Sequence, residues 1–144
     1  MTGMRRVLCA LLLAASAAAC GDEQATTSPS TTTGTTATEV FTGTIAPRGS
    51  AFYAFTVTSA GNVSITLASV AYSRVGPAVT ARLTVGVGTP SGFGCAVTSA
   101  VDTSTGLTAQ LTATGAADNI YCVNVTDPGA LTGDATFVIR ILHT

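Results

Sequence analysis

The chain has 144 residues and a formal net charge of −1, with charged side chains at only 9% of positions and no lysine. That length holds one ordinary domain, and without a Lys/Arg cluster it carries no electrostatic footprint for a nucleic acid. Solubility has to come from hydroxyl groups, which Thr and Ser supply along most of the chain.

The first predicted element is a secretion signal. Met1 to Arg6 is basic, Val7 to Ala15 is apolar, and Ser16-Ala17-Ala18-Ala19-Cys20-Gly21 is a run of small residues, which is the three-part plan of a cleavable leader. The apolar run is too short for a permanent spanning helix, which needs about 20 residues, so residues 1–19 are expected to be removed. The small residues directly before Cys20 resemble the signals of bacterial lipoproteins, with Ala17 in the place where Leu is commonest. The resemblance implies diacylglycerol on the Cys20 thiol and a membrane anchor of palmitate-like acyl chains. Each buried methylene contributes about 0.8 kcal/mol, so two or three chains on one Cys hold firmly. In such proteins an Asp directly after the Cys favours retention in the inner membrane. Here Asp22 comes one place later, so the expected location is the outer membrane of the cell envelope. Without the leader, Arg48, Arg74, Arg82 and Arg140 face seven carboxylates, a net charge of about −3.

Residues 20–38 form the second element, a tether. From Ala25 to Thr38 ten of fourteen residues are Ser or Thr and none is large and apolar. Such a segment cannot bury enough surface to offset its ordering entropy. It is expected to be a disordered spacer with an end-to-end distance on the order of 20–25 Å.

From Glu39 to Thr144 the pattern changes to short β-type segments separated by Gly, Pro, Asn and Asp. Apolar residues alternate with small or hydroxyl ones in Tyr53-Phe55-Val57, Val63-Ile65-Leu67, Leu83-Val85-Val87 and Phe137-Ile139-Ile141, so one face of each strand is buried. Phe41–Ile45, Cys95–Ala100, Leu107–Thr112 and Ile120–Val125 complete a set of about eight strands. Turn signals such as Pro47-Arg48-Gly49, Pro90-Ser91-Gly92 and Asp127-Pro128-Gly129 recur every ten to fifteen residues or so. With no helical period anywhere, this predicts an all-β fold, a jelly-roll-like antiparallel sandwich of two sheets.

Of four cysteines, Cys9 leaves with the leader and Cys20 carries lipid, so Cys95 and Cys122 remain as a pair in an oxidising compartment. A disulfide between them is expected. A metal or redox pair would need a CxxC or further ligands, and the chain has one His. If Tyr121, Val123 and Val125 point into the core, Cys122 faces outward, and the bridge lies over the outer side of a sheet or at its edge.

The stretches Phe41-Thr42-Gly43-Thr44-Ile45, Tyr53-Ala54-Phe55-Thr56-Val57 and Gly61-Asn62-Val63-Ser64-Ile65-Thr66-Leu67, with Tyr121-Cys122-Val123-Asn124-Val125 later, resemble the bacterial pre-peptidase C-terminal domain. That family carries a Y-x-F-x-V strand, a G-x-V-x-I-x-L strand and a late Y-x-V-x-V strand. The resemblance implies a β-sandwich that accompanies exported enzymes without catalysing anything itself.

Catalytic chemistry is not expected. His143, the one imidazole, lies beside the carboxyl end and is expected to fray there, which removes Ser-His and Cys-His arrangements. Glu39, Asp102, Asp118, Asp127 and Asp134 fall in or beside turns, where acids usually cap backbone. Asp118, Asp127 and Asp134 lack the spacing of a calcium loop, and no cofactor is expected. Without Trp, the aromatic side chains to consider as ligand contacts are Tyr72 and Phe93, both in loops. The sequence therefore points to a non-catalytic, membrane-tethered β-sandwich that binds an extracellular or periplasmic polysaccharide or protein. The alternative is a structural envelope lipoprotein without a discrete ligand site.

Overall fold

Alternation with a period of two places every second side chain of a strand on one face, and here that face is lined by Val, Ile, Leu and Phe. The computed structural model describes residues 34–72 and 76–144. The leader, Cys20, most of the tether and Arg74 lie outside the described residues. Eight strands follow in chain order: β1 (Ala37–Ile45), β2 (Ser50–Val57), β3 (Gly61–Ala71), β4 (Leu83–Ser91), β5 (Gly94–Thr103), β6 (Leu111–Gly115), β7 (Asn119–Thr126) and β8 (Ala135–His143). They form two antiparallel four-stranded sheets, ordered β1-β8-β3-β6 and β2-β7-β4-β5. This is the two-sheet sandwich that the turn spacing predicts.

Val63, Ile65 and Leu67 of β3, Val85 and Val87 of β4, Val123 and Val125 of β7 and Phe137, Ile139 and Ile141 of β8 are all buried in one core cluster. Full burial of one such side chain is worth about 1.5–3 kcal/mol. The layer therefore fixes both sheets and, with them, the outward positions that alternate with it.

Three sequence-based expectations change. Strand β1 starts at Ala37, because Ala37 and Thr38 pair with His143 and Leu142; the end of the expected tether is part of the first strand. His143 does not fray. The β1–β8 ladder reaches it, the inward phase of β8 buries it to 3% exposure, and its Nε2 lies 2.9 Å from Glu39 Oε1, with its ring 5.4 Å from that of Phe55.

The sixth strand begins at Leu111, not Leu107. Residues 104–110 cross between the sheets as a loop, and Leu107 is exposed. Gly106 N–H donates to Leu67 O and Gln110 N–H to Ile65 O, both at 3.0 Å. The Gln110 side-chain carbonyl accepts from Leu67 N–H at 2.8 Å, so an amide side chain does for β3 what a neighbouring strand would otherwise do.

Strand β5 does not lie flat beside β4. Val87 pairs with Ser99 and Gly88 with Val97, leaving Thr98 as an extra residue, and such a bulge bends the strand that carries it. The start of β5 then rides over the outer face of β4. A Cβ on Gly88 would stand 1.9 Å from Ala96 O, and one on Gly86 2.7 Å from a Val97 methyl. This curl lets Cys95 reach past β4 to Cys122 on β7, with Cα atoms 5.8 Å apart in a disulfide. The bridge lies on the outer side of the sheet, as the inward phase of Val123 and Val125 requires, and Cys122 is wholly buried beneath β5.

A Gly88→Ala substitution is expected to destabilise the domain by about 1–3 kcal/mol, because the methyl meets backbone and not a movable side chain. The denaturation midpoint should fall with an unchanged slope. An unchanged midpoint would show that β5 can lift from β4 at no cost.

Candidate binding groove on the outer face of one sheet

The outward phase of the β1-β8-β3-β6 sheet is set by the buried residues between. Burying Ile139 and Ile141 turns Arg140 and Leu142 outward, and burying Val63, Ile65 and Leu67 turns Ser64 and Thr66 the same way. Register then brings them together: Thr38 lies opposite Leu142, Leu142 opposite Ser64, and Arg140 opposite Thr66. The 104–110 loop forms a wall. The result is an open groove of about 500 Å³ lined by Thr38, Ser64, Thr66, Thr108, Ala109, Arg140 and Leu142. Ser64 also borders a second hollow of about 230 Å³ with Asn62, Thr112 and Thr114, so hydroxyl-bearing surface continues onto β6.

The groove offers hydroxyls as donors and acceptors, one cation, and an apolar rim of exposed Val40, Leu107 and Leu142. An Arg140 guanidinium nitrogen donates to Leu107 O at 3.0 Å, which steadies the side chain against the loop. Among the described residues the only ion pair is His143–Glu39, so no described carboxylate neutralises Arg140. A guanidinium keeps several donors in a rigid fork, and one contact to a carbonyl leaves the rest for an anionic or polyhydroxy ligand.

The sequence-predicted contacts lie elsewhere, at opposite ends of the sandwich. Tyr72 follows β3 at the end shared with the β1–β2 turn and the β7–β8 loop, where its hydroxyl accepts from Thr132 Oγ1 at 2.9 Å. Its ring is folded onto that end and remains partly exposed. Phe93 sits in the β4–β5 turn and is fully exposed. The two do not form one site, and neither lines the groove. Arg140 was legible as a charge between two buried isoleucines on β8. Ser64, Thr66 and Thr38 carried no signal, because hydroxyl residues occupy outward positions on every strand.

Asp127 and Asp102 have structural duties. Asp127 is buried and accepts Arg48 N–H at 2.8 Å, Gly129 N–H at 3.1 Å, Ala130 N–H at 2.8 Å and Leu131 N–H at 3.2 Å. Arg48 is in the left-handed region at φ 59°, and Asp127 N–H donates to Gly49 O at 3.0 Å, so one carboxylate ties the β1–β2 turn to the β7–β8 loop. Burial raises its pKa, and the four backbone donors overcome this to hold the carboxyl below its ordinary value. Asp102 accepts from the Thr84 hydroxyl. Asp118 lies in the β6–β7 turn, at the opposite end from Asp127 and Asp134, and the three do not assemble a cation site.

Comparison of the chain with protein-family profiles and with curated protein sequences finds no match in either.

Proposed function

We propose that the chain is a non-catalytic binding module, held at the outer membrane of a bacterial envelope by acyl chains on Cys20, and that it binds an extracellular or periplasmic polysaccharide bearing acidic groups. The observation that carries the reading is the groove around Arg140, where a guanidinium without a carboxylate partner among the described residues stands among hydroxyls and an apolar rim. Sugars present hydroxyls and C–H faces, and a uronate adds a carboxylate for the guanidinium fork. The one imidazole, His143, is buried against Glu39 on the inner face of β8 and does not line the groove. The resemblance of the strands to the pre-peptidase C-terminal domain agrees with an exported accessory module.

The test is affinity electrophoresis of the intact protein in gels containing a polyuronate or a neutral glucan. The polyuronate should retard it and the neutral glucan much less. Arg140→Gln should weaken retention about 10–30-fold, the loss of a charge-assisted hydrogen bond, with thermal stability unchanged because the side chain is exposed. Equal retention of the variant would remove Arg140 from the site, and no retention by any polymer would favour a structural lipoprotein without a ligand.

A further inference from the structure

A two-residue turn, Gly92-Phe93, joins the last ladder pair of β4 and β5, Ser91 and Gly94, with Gly92 at φ 57°. Phe93 is the most exposed of the exposed large hydrophobic residues, touching essentially nothing of its own fold. A lone exposed apolar residue on a loose tip means little. This tip is not loose. Strands β4 and β5 pair up to its base, Gly88 admits the β5 backbone directly onto β4, and Cys95, two residues after Phe93, is bonded to the buried Cys122. The fold thus holds an aromatic ring outward on a stapled mount, the form in which rigid anchors are presented to a partner.

Register places the mount. Strand β4 runs against β7, from Thr84 opposite Thr126 to Gly88 opposite Cys122, so the turn lies toward the end where β7 begins. Gly34 packs at that same end, against Ser59 and Thr144. Gly34 is fourteen positions after Cys20, a span of at most about 50 Å when extended, and the described chain enters the domain at the end that carries the exposed ring. Arg48 and Arg82 are at the opposite end; the charged groups at this end are Asp118 in the β6–β7 turn and Glu39, which is hydrogen-bonded to His143, and Ile120, exposed at the start of β7, adds a second apolar side chain at the same end.

We infer that the β4–β5 turn is a membrane-contacting tip, with Phe93 entering the boundary between headgroups and acyl chains while the lipid on Cys20 holds the chain to the same bilayer. The inference rests on the anchor reading under the proposed function. The contact is apolar, and it therefore does not require anionic lipid. It also orients the module, turning the Tyr72 end away from the membrane.

The chain has no Trp, so Phe93→Trp creates a single fluorescent reporter. The lipidated full-length variant is reconstituted into phosphatidylcholine vesicles, with and without bromine in the upper acyl chain, and flotation is measured alongside. The Trp emission should shift to the blue and be quenched by the brominated lipid. An Ala130→Trp reporter in the β7–β8 loop, at the other end, should float equally and stay unquenched. If the protein floats while Phe93→Trp keeps an aqueous, unquenched emission, the tip does not touch lipid and the inference falls with the anchor intact. A protein that does not float overturns the anchor reading and the inference with it. A blue shift that appears without vesicles and grows with protein concentration would assign the tip to a second copy of the chain instead.

Discussion

Removing the Cys95–Cys122 bridge is expected to lower the unfolding free energy by about 3.6 kcal/mol, the chain-entropy value for a closed loop of this length. The two cysteines are 27 positions apart, and the loop between them holds β5, the 104–110 crossing and β6. All of these are therefore constrained in the unfolded chain as well as in the folded one. The double variant Cys95→Ala/Cys122→Ala is the sounder probe, since a hydroxyl at the buried Cys122 site would add a desolvation penalty of its own. The midpoint of thermal unfolding should fall by roughly 15 °C for a domain of this size. The start of β5 should lose amide-exchange protection well before β3 and β8 do, because the bridge anchors it to β7 and only the bulged ladder ties it to β4. A loss under about 1 kcal/mol would mean that the reduced unfolded chain keeps the same segments together without the bond.

Replacing Asp127 with Ala should cost about 3 kcal/mol at neutral pH, because four buried or half-buried backbone N–H groups lose one shared anionic acceptor. The pH dependence follows from the direction of its shift. The folded carboxyl titrates below the ordinary value of 3.8, so its contribution is complete above that value and disappears as the pH falls through the lower folded value. Denaturant unfolding of both proteins at pH 7 and near pH 3 checks this. The gap between them should narrow in acid, with the parent protein losing stability faster than Asp127→Ala. A constant gap would mean that the backbone donors bind the protonated acid as well as the carboxylate.

The β-sandwich was legible from local pattern because the decisive interaction is burial, and burial leaves a period of two in the sequence wherever one face is dry. Ile139-Arg140-Ile141 and Val63-Ser64-Ile65 gave both the strand and its phase without reference to any partner. The same phase argument put the disulfide on the outer side of a sheet, since Val123 and Val125 cannot both face inward unless Cys122 faces out. Where the pattern failed, a long-range contact replaced a local rule. Leu107 and Leu111 look alike as strand starters, but the 104–110 segment meets β3 through Gly106 and Gln110 as a loop, and regular pairing begins with Leu111 opposite Ile65.

His143 and Asp127 mark the same divide. Position near the chain end argues for fraying, but pairing with Ala37 and a hydrogen bond with Glu39, 104 positions away in sequence, reverse it. Asp127 reads as an ordinary turn acid until the β1–β2 turn, 79 positions earlier, brings its own N–H to the carboxylate.

The sequence by itself determined the number of layers, the inward face of most strands and the pairing of Cys95 with Cys122, because each follows from hydrophobic period or from a count of reactive groups. Tertiary structure alone decided the strand order, the curl of β5 over Gly88, the groove around Arg140 and the opposite placement of Tyr72 and Phe93. Those depend on which strands lie side by side and in what register, and side chains brought together across a sheet leave no mark on their neighbours in the chain.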